Sequence, residues 1–133
     1  MKNKNILLLS GLMQEGKHWD QVISKLEVLL PEHRIVTLDL PGNGKHHKLR
    51  SFLSIRKNVH FLRDQWKKRI DYPSDNVLVG ISMGGMISME WSMLYPEDWK
   101  KVIVINTSSG ALSPFYQRYN PKNIFRFIYY SLN

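Results

Sequence analysis

The sequence predicts an α/β fold, in which a parallel sheet of about four strands has helices on both faces. Four short apolar runs alternate along the chain with three longer segments whose apolar residues recur at helical spacing. The apolar runs are continuous, which is typical of strands buried on both faces of a sheet. Strands joined by helices form right-handed crossover units, and such units build a parallel sheet with helices on its two sides.

The first half of the chain contains two predicted strands with one helix between them. NILLLSG (5–11) is a strand that ends before a glycine, and RIVTLDLPGNG (34–44) is a strand closed by a turn of Pro, Gly and Asn. Between them, HWDQVISKLEVLLP (18–31) predicts a helix that Pro31 ends. The apolar face of this helix comprises Trp19, Val22, Ile23, Leu26 and Leu30.

The second half contains two helices and two strands. Residues 51–69 have apolar side chains at threes and fours, which predicts an amphipathic helix with Ser51 as a suitable N-cap. NVLVGIS (76–82) and KVIVINTSS (101–109) are apolar strands. Between these strands, MGGMISMEWSMLYP (83–96) is apolar almost all round, which predicts a buried helix.

Composition narrows the class of protein. The chain has 133 residues and no cysteine, which fits one domain and excludes a disulfide framework, thiolate catalysis and a cysteine-ligated zinc site. The apolar run ILLL has only four residues, whereas a signal peptide needs about 7–15 and a membrane span about 20. We therefore expect a cytoplasmic protein with no membrane partner, no metal and no cofactor.

The net charge of +8 is concentrated in one stretch. Between Gly42 and Tyr72, nine lysines and arginines accompany only two aspartates. The simpler interpretation is the solvated face of one helix and the loop before it, because no nucleic-acid motif accompanies the charge. The alternative is a basic domain that binds nucleic acid or another anionic surface through residues 45–69.

A serine flanked by glycines follows the third predicted strand. Gly80-Ile81-Ser82-Met83-Gly84 matches the pattern G-x-S-x-G, which places a nucleophile on a sharp turn from a strand into a helix. The glycines are needed because a side chain at either position would collide with the neighbouring elements. The pattern predicts that Ser82 is a nucleophile and that Gly80 and Gly84 are structural; a Gly-Ser turn without function is the alternative.

A serine nucleophile of this kind needs two N–H groups that bind the oxyanion of the intermediate. Met83 follows the nucleophile and is predicted to supply one. The other is expected from the turn after the first strand, where Leu12 or Met13 follows Gly11. We take Leu12 and Met83 as the predicted oxyanion hole.

Several motifs in this order resemble the α/β-hydrolase superfamily over most of the chain. ILLLSGL resembles the first long strand and its oxyanion turn, where Ser10-Gly11 stands in place of His-Gly. VTLDLPGNG is similar to the Asp-x-Pro-Gly-x-Gly strand end, and the stretch 78–108 is similar to the nucleophile turn, helix and next strand. The resemblance implies hydrolysis of a small carboxylic ester or thioester through an acyl-enzyme on Ser82.

The resemblance also implies an acid and a histidine, in the chain order Ser, Asp/Glu, His. The sequence has no histidine after Ser82, and its later acids, Glu90, Glu97 and Asp98, follow no strand at the expected catalytic edge. The upstream histidines that follow strands one and two, and so belong to that edge, are His18, His46 and His47. Each is a candidate general base, but the simpler interpretation of each is a loop or helix-entry histidine.

We therefore interpret the chain as a truncated hydrolase core, the N-terminal portion of such an enzyme. Residues 1–112 are expected to form this core and residues 113–133 to begin the cap that lies over the site. A non-catalytic remnant that binds an apolar small molecule is the alternative. Because four apolar strands leave two unpaired sheet edges, self-association through these edges is a further expectation.

Overall fold

A computed structural model of the chain describes residues 4–11, 16–70 and 75–107. Strands and helices alternate through these residues in the predicted order. Short 3₁₀ turns cover Gly16–Trp19, Gly44–His46 and Pro96–Asp98. The longer elements are β1 (Lys4–Leu9), α1 (Asp20–Leu29), β2 (His33–Thr37), α2 (Ile55–Lys67), β3 (Asp75–Ile81), α3 (Met83–Leu94) and β4 (Lys101–Ile105).

The four strands form one parallel sheet in the order β2-β1-β3-β4. The predicted α/β fold with a four-stranded parallel sheet is therefore confirmed. Right-handed crossovers place α1 on one face of the sheet and α2 and α3 on the other. All four strands end at the same edge, which we call the carboxyl edge, and ligands of open α/β sheets bind there.

The main core lies between the sheet and the pair α2–α3. Trp99, two residues before β4, packs against both helices of this pair, since its ring lies 5.2 Å from that of Trp66 in α2 and 4.9 Å from that of Trp91 in α3. The buried residues of this core are Leu7, Leu9, Val36, Leu38, Leu40, Val59, Leu62, Trp66, Ile70, Leu78, Ile87, Trp91 and Trp99. Thus the strand that leads to Ser82 and the helix that follows it are both packed firmly.

The opposite face of the sheet is covered less completely. The predicted helix α1 is present, but none of its residues is buried. Val28 is 80% exposed and Leu29 is 73% exposed. Both of these residues lie outside the predicted apolar face of α1. Of that face, Val22 is 41% exposed, and the half-buried members are Trp19, Ile23, Leu26 and Leu30.

Helix α2 begins later than expected, and its N-cap differs from the one expected. The N-cap is Ser54 and not Ser51: Ser54 has extended backbone, and its hydroxyl accepts the N–H of Lys57 at 3.3 Å. Asn58 in the first turn fixes this start, because its amide donates to the carbonyls of Phe52 and Ser54 at 3.1 and 2.9 Å. Asn58 is a polar residue within the apolar pattern of α2, and its side chain stabilises the N-terminus of the helix.

Two further expectations concern the cap region and the absence of a membrane-spanning helix. The predicted cap at 113–133 lies outside the described residues. No helix among the described residues is both long enough and apolar enough to cross a bilayer.

Candidate active site

Ser82 lies between β3 and α3, at the carboxyl edge of the sheet. Its φ is 55° and its ψ is −121°, and it is one of two non-glycine residues with positive φ in the described part of the chain. Such a conformation costs about 1–3 kcal/mol and persists only where the surroundings impose it. The side chain is exposed. Strain at an exposed serine after a buried strand is typical of a functional position.

The glycines around Ser82 allow α3 to approach the end of β1. A Cβ on Gly84 would meet the carbonyl oxygen of Leu9 and would lie 2.6 Å from that of Ser10. A Cβ on Gly80 would meet the Gly84 carbonyl and the Ser88 hydroxyl. We call residues 80–85 the serine turn; its glycines bring Ser82 close to the segment that follows β1.

Backbone hydrogen bonds hold the serine turn on both sides. The N–H of Ser82 donates to the carbonyl of Ile105 in β4 at 3.0 Å. The carbonyl of Ser82 accepts the N–H groups of Gly85 and Met86 at 3.0 and 3.2 Å, which begins α3. Met83 is the first residue of α3, so its N–H has no acceptor within the helix and belongs to the positive end of the helix dipole.

The second predicted oxyanion donor, Leu12, lies outside the described residues, but both flanks of its segment are described. On one side, the indole N–H of Trp19 donates to the Ser10 hydroxyl at 2.8 Å. On the other side, the N–H of Gly16 donates to the Asp39 carboxylate at 2.7 Å. Ser10 and Gly16, the described residues on either side of this segment, are therefore both hydrogen-bonded at the carboxyl edge.

Three comparisons bear on this arrangement. The sequence profile described as "alpha/beta hydrolase fold" matches residues 4–129. The chain belongs to the α/β-hydrolase family.

Individual members of the α/β-hydrolase family are moderately similar to this chain. It is 34% identical over 122 residues to the "Uncharacterized hydrolase YugF" of Bacillus subtilis, which is 92% of this chain and 41% of that protein. It is 28% identical over 106 residues to the "Pimeloyl-[acyl-carrier protein] methyl ester esterase" of Wigglesworthia glossinidia brevipalpis, which is 78% of this chain and 36% of that protein. The chain thus spans about two fifths of these relatives.

Solved α/β-hydrolase structures share the fold. The thioesterase RedJ from the prodiginine pathway of Streptomyces coelicolor superposes with a TM-score of 0.70 at 16% identity. The match covers 83% of this chain and 41% of that structure. At this identity the comparison concerns the fold alone.

Two of the three upstream histidines proposed as bases make contacts within their own loop and with α2. The ring of His46 packs edge-on against Phe61 with 5.1 Å between ring centroids. The Nδ1 atom of His47 lies 3.0 Å from the carbonyl oxygen of Gly44. His18 is exposed on the 3₁₀ turn before α1. These contacts of His46 and His47 do not join either ring to Ser82.

The acids that follow Ser82 make ion pairs away from the serine hydroxyl. Glu90 pairs with Arg56 at 3.0 Å. Glu97 and Asp98 pair with Arg63 at 3.4 and 2.6 Å, just before β4 begins and therefore at the sheet edge opposite Ser82. Within the described ranges, no three acidic or histidine side chains converge closely enough to hold a metal ion.

Sequence reasoning missed two residues that contact the site. Asp39 belongs to the Asp-x-Pro-Gly-x-Gly stretch, but the pattern does not reveal that its carboxylate binds the segment after β1. Thr107 donates to the Ser82 carbonyl at 2.7 Å. The only signal for Thr107 was its position in the polar run that follows a strand at the carboxyl edge.

Proposed function

We propose that this chain carries the nucleophile of a serine hydrolase that cleaves a small carboxylic ester or thioester. The observation that carries the proposal is the exposed Ser82, whose φ of 55° is imposed on a turn between a buried strand and the N-terminus of a buried helix. Hydrolase family membership supports the reaction class. The similarity to a relative named as a methyl ester esterase supports an ester substrate.

The proposed reaction has two steps. The Ser82 oxygen attacks the substrate carbonyl while its proton passes to a base, and the oxyanion is bound by the N–H groups of Met83 and Leu12. Collapse expels the alcohol or thiol, which takes that proton, and leaves an acyl group on Ser82. Water then attacks the acyl-enzyme, releases the carboxylic acid and restores the serine hydroxyl.

The base is the part of the mechanism that Ser82 cannot supply by itself. A serine hydroxyl is a weak nucleophile at neutral pH, and an oxyanion hole without a base leaves a rate that is typically thousands-fold lower. The printed sequence has no histidine after Ser82. The candidates that this sequence offers for the base are therefore His18, His46 and His47, and a histidine outside this sequence is the alternative.

A fluorophosphonate probe tests the proposal, because it phosphonylates only a serine that a base has activated. Intact mass should show one adduct on the parent chain and none on Ser82→Ala. The matched control is Ser92→Ala on the same helix, whose hydroxyl binds the Met89 carbonyl at 2.8 Å; this variant should react like the parent. Alanine variants at the three upstream histidines then identify a base within the chain.

The contrary outcome is a folded parent that takes no label. Circular dichroism would establish the folded state in the same sample. That outcome would contradict a base within this chain and favour a non-catalytic hydrolase fold.

A further inference from the structure

Thr107 lies two residues beyond β4 and contacts the serine turn directly. Its hydroxyl donates to the Ser82 carbonyl at 2.7 Å, which is shorter than the two helical N–H bonds to the same oxygen. The Ser82 N–H donates to the carbonyl oxygen of Ile105, the last residue of β4. Thus the peptide groups on both sides of Ser82 are bound to the end of β4.

The backbone after β4 has a conformation that brings Thr107 to this position. Asn106 has a φ of 45°, which is uncommon for a residue with a side chain. On the other side of the contact, a Cβ on Gly85 would lie 2.7 Å from the Cβ of Thr107 and 2.8 Å from its hydroxyl oxygen. A left-handed residue and a glycine therefore both accommodate the Thr107 side chain.

The Ser82 carbonyl is part of the same peptide group as the Met83 N–H. A trans peptide is planar, so its C=O and N–H point in opposite directions and rotate together. A hydroxyl that fixes the direction of the Ser82 carbonyl therefore fixes the direction of the Met83 N–H as well. The Met83 N–H is the donor that follows the nucleophile and has no acceptor within α3.

We propose that Thr107 is a positioning residue, whose hydroxyl holds the Ser82–Met83 peptide so that the Met83 N–H points at the oxyanion. The inference rests on the proposed function, since it concerns the same serine. The Thr107 side chain need not touch the substrate. It acts on the oxyanion hole by orienting the Ser82–Met83 peptide plane.

Two variants separate the hydroxyl from the rest of the side chain. Thr107→Val keeps the shape and removes the donor, whereas Thr107→Ser keeps the donor and removes a methyl group. With the fluorophosphonate probe, Thr107→Val should react about three- to tenfold more slowly per folded molecule, as expected for one neutral hydrogen bond. Thr107→Ser should restore the rate to within about twofold of the parent.

A second measurement does not depend on activity. Amide hydrogen exchange of Gly85 and Met86, whose N–H groups bind the Ser82 carbonyl, should be faster in Thr107→Val than in the parent or in Thr107→Ser. A parent that takes no label would contradict the proposed function, and the exchange rates would still decide whether Thr107 holds the peptide.

Three results would overturn the inference. If Thr107→Ser reacts and exchanges like Thr107→Val, the methyl group packed beside Gly85 matters and the hydroxyl does not. If both variants behave like the parent, backbone bonds alone hold the peptide. A lower melting temperature in Thr107→Val with an unchanged labelling rate per folded molecule would likewise indicate a structural role only.

Discussion

The carboxylate of Asp39 joins the two loops that follow β1 and β2, because it accepts the N–H of Gly16 at 2.7 Å and that of Lys45 at 3.1 Å. Gly44 makes the close approach possible: its φ is 47°, and a Cβ there would meet the Asp39 carboxylate. Asp39 therefore fixes Gly16, which follows the segment that contains the second proposed oxyanion donor.

Replacing Asp39 should destabilise the protein, since a hydrogen bond to a charged acceptor contributes about 1.5–3 kcal/mol. We expect Asp39→Ala, which removes two such bonds, to lower the free energy of unfolding by about 2–4 kcal/mol in urea titrations. Asp39→Asn keeps one acceptor oxygen and should lose less. The control is Asp64→Ala, at an exposed position of α2. Equal losses in Asp39→Ala and Asp64→Ala would contradict the anchoring role.

The two helical glycines after Ser82 should differ in their tolerance of alanine. In an open helix, Gly→Ala is favourable by about 1 kcal/mol. At Gly84, however, the new methyl would meet backbone oxygens of β1, which cannot move without the sheet, whereas at Gly85 it would meet the Thr107 side chain.

We therefore expect Gly84→Ala to lower the free energy of unfolding by 3 kcal/mol or more, or to prevent folding, with about 1–2 kcal/mol for Gly85→Ala. Thermal and urea unfolding of the two variants measure this difference. A larger loss for Gly85→Ala than for Gly84→Ala would show that the backbone at the end of β1 moves to accommodate a methyl group more easily than the Thr107 side chain does.

How far the sequence predicts this structure depends on whether a feature is local. The order of strands and helices and the turn at Ser82 were predictable, because continuous apolar runs and flanking glycines impose their conformations locally. The N-cap at Ser54 was missed because the pattern fits both Ser51 and Ser54, and the hydrogen bonds of Asn58 select Ser54. The Thr107 contact joins residues 25 apart in sequence, and no local pattern encodes it.

The ion pair between Arg63 and Asp98 should be the strongest in the described structure. The Arg63 guanidinium bonds both carboxylate oxygens of the buried Asp98 at 2.6 and 3.0 Å, and Trp91 donates to the same carboxylate at 2.9 Å. The hydrogen bond to Asp98 raises the pKa of Arg63 above its usual value, although burial opposes the shift.

A base with a raised pKa stabilises the folded state at all pH values below its unfolded pKa, and that contribution is lost as the pH rises through the folded pKa, far above neutral for an arginine. We expect Arg63→Met to lower the free energy of unfolding by about 3 kcal/mol, because it leaves a buried carboxylate without its cation. The loss should be the same at about pH 7 and pH 9.

The matched control for Arg63 is Arg56→Met on the same helix. Arg56 pairs with Glu90 at 3.0 Å but is itself largely exposed. Such a pair contributes about 0–1 kcal/mol. Urea unfolding that gives equal losses for the two arginines would show that burial of Asp98 does not strengthen its pair.

β4 should be the contact through which the isolated chain associates with itself. It ends the described sheet, and Ile103, Val104 and Ile105 are 48%, 41% and 40% exposed. An apolar end strand with unpaired N–H and C=O groups is a template for another strand. We expect the parent chain to elute as a dimer or a larger species in sizing chromatography, and to dissociate on about a hundredfold dilution.

Val104→Lys should shift the protein toward the monomer, because a charged side chain on an end strand opposes pairing. Leu53→Lys is the matched control, since Leu53 is fully exposed, at 101%, on the loop before α2 and away from this edge; it should leave the elution unchanged. Dissociation by Leu53→Lys but not by Val104→Lys would place the contact on that loop. A parent chain that is monomeric at all concentrations would mean that exposed apolar side chains on β4 are insufficient for pairing.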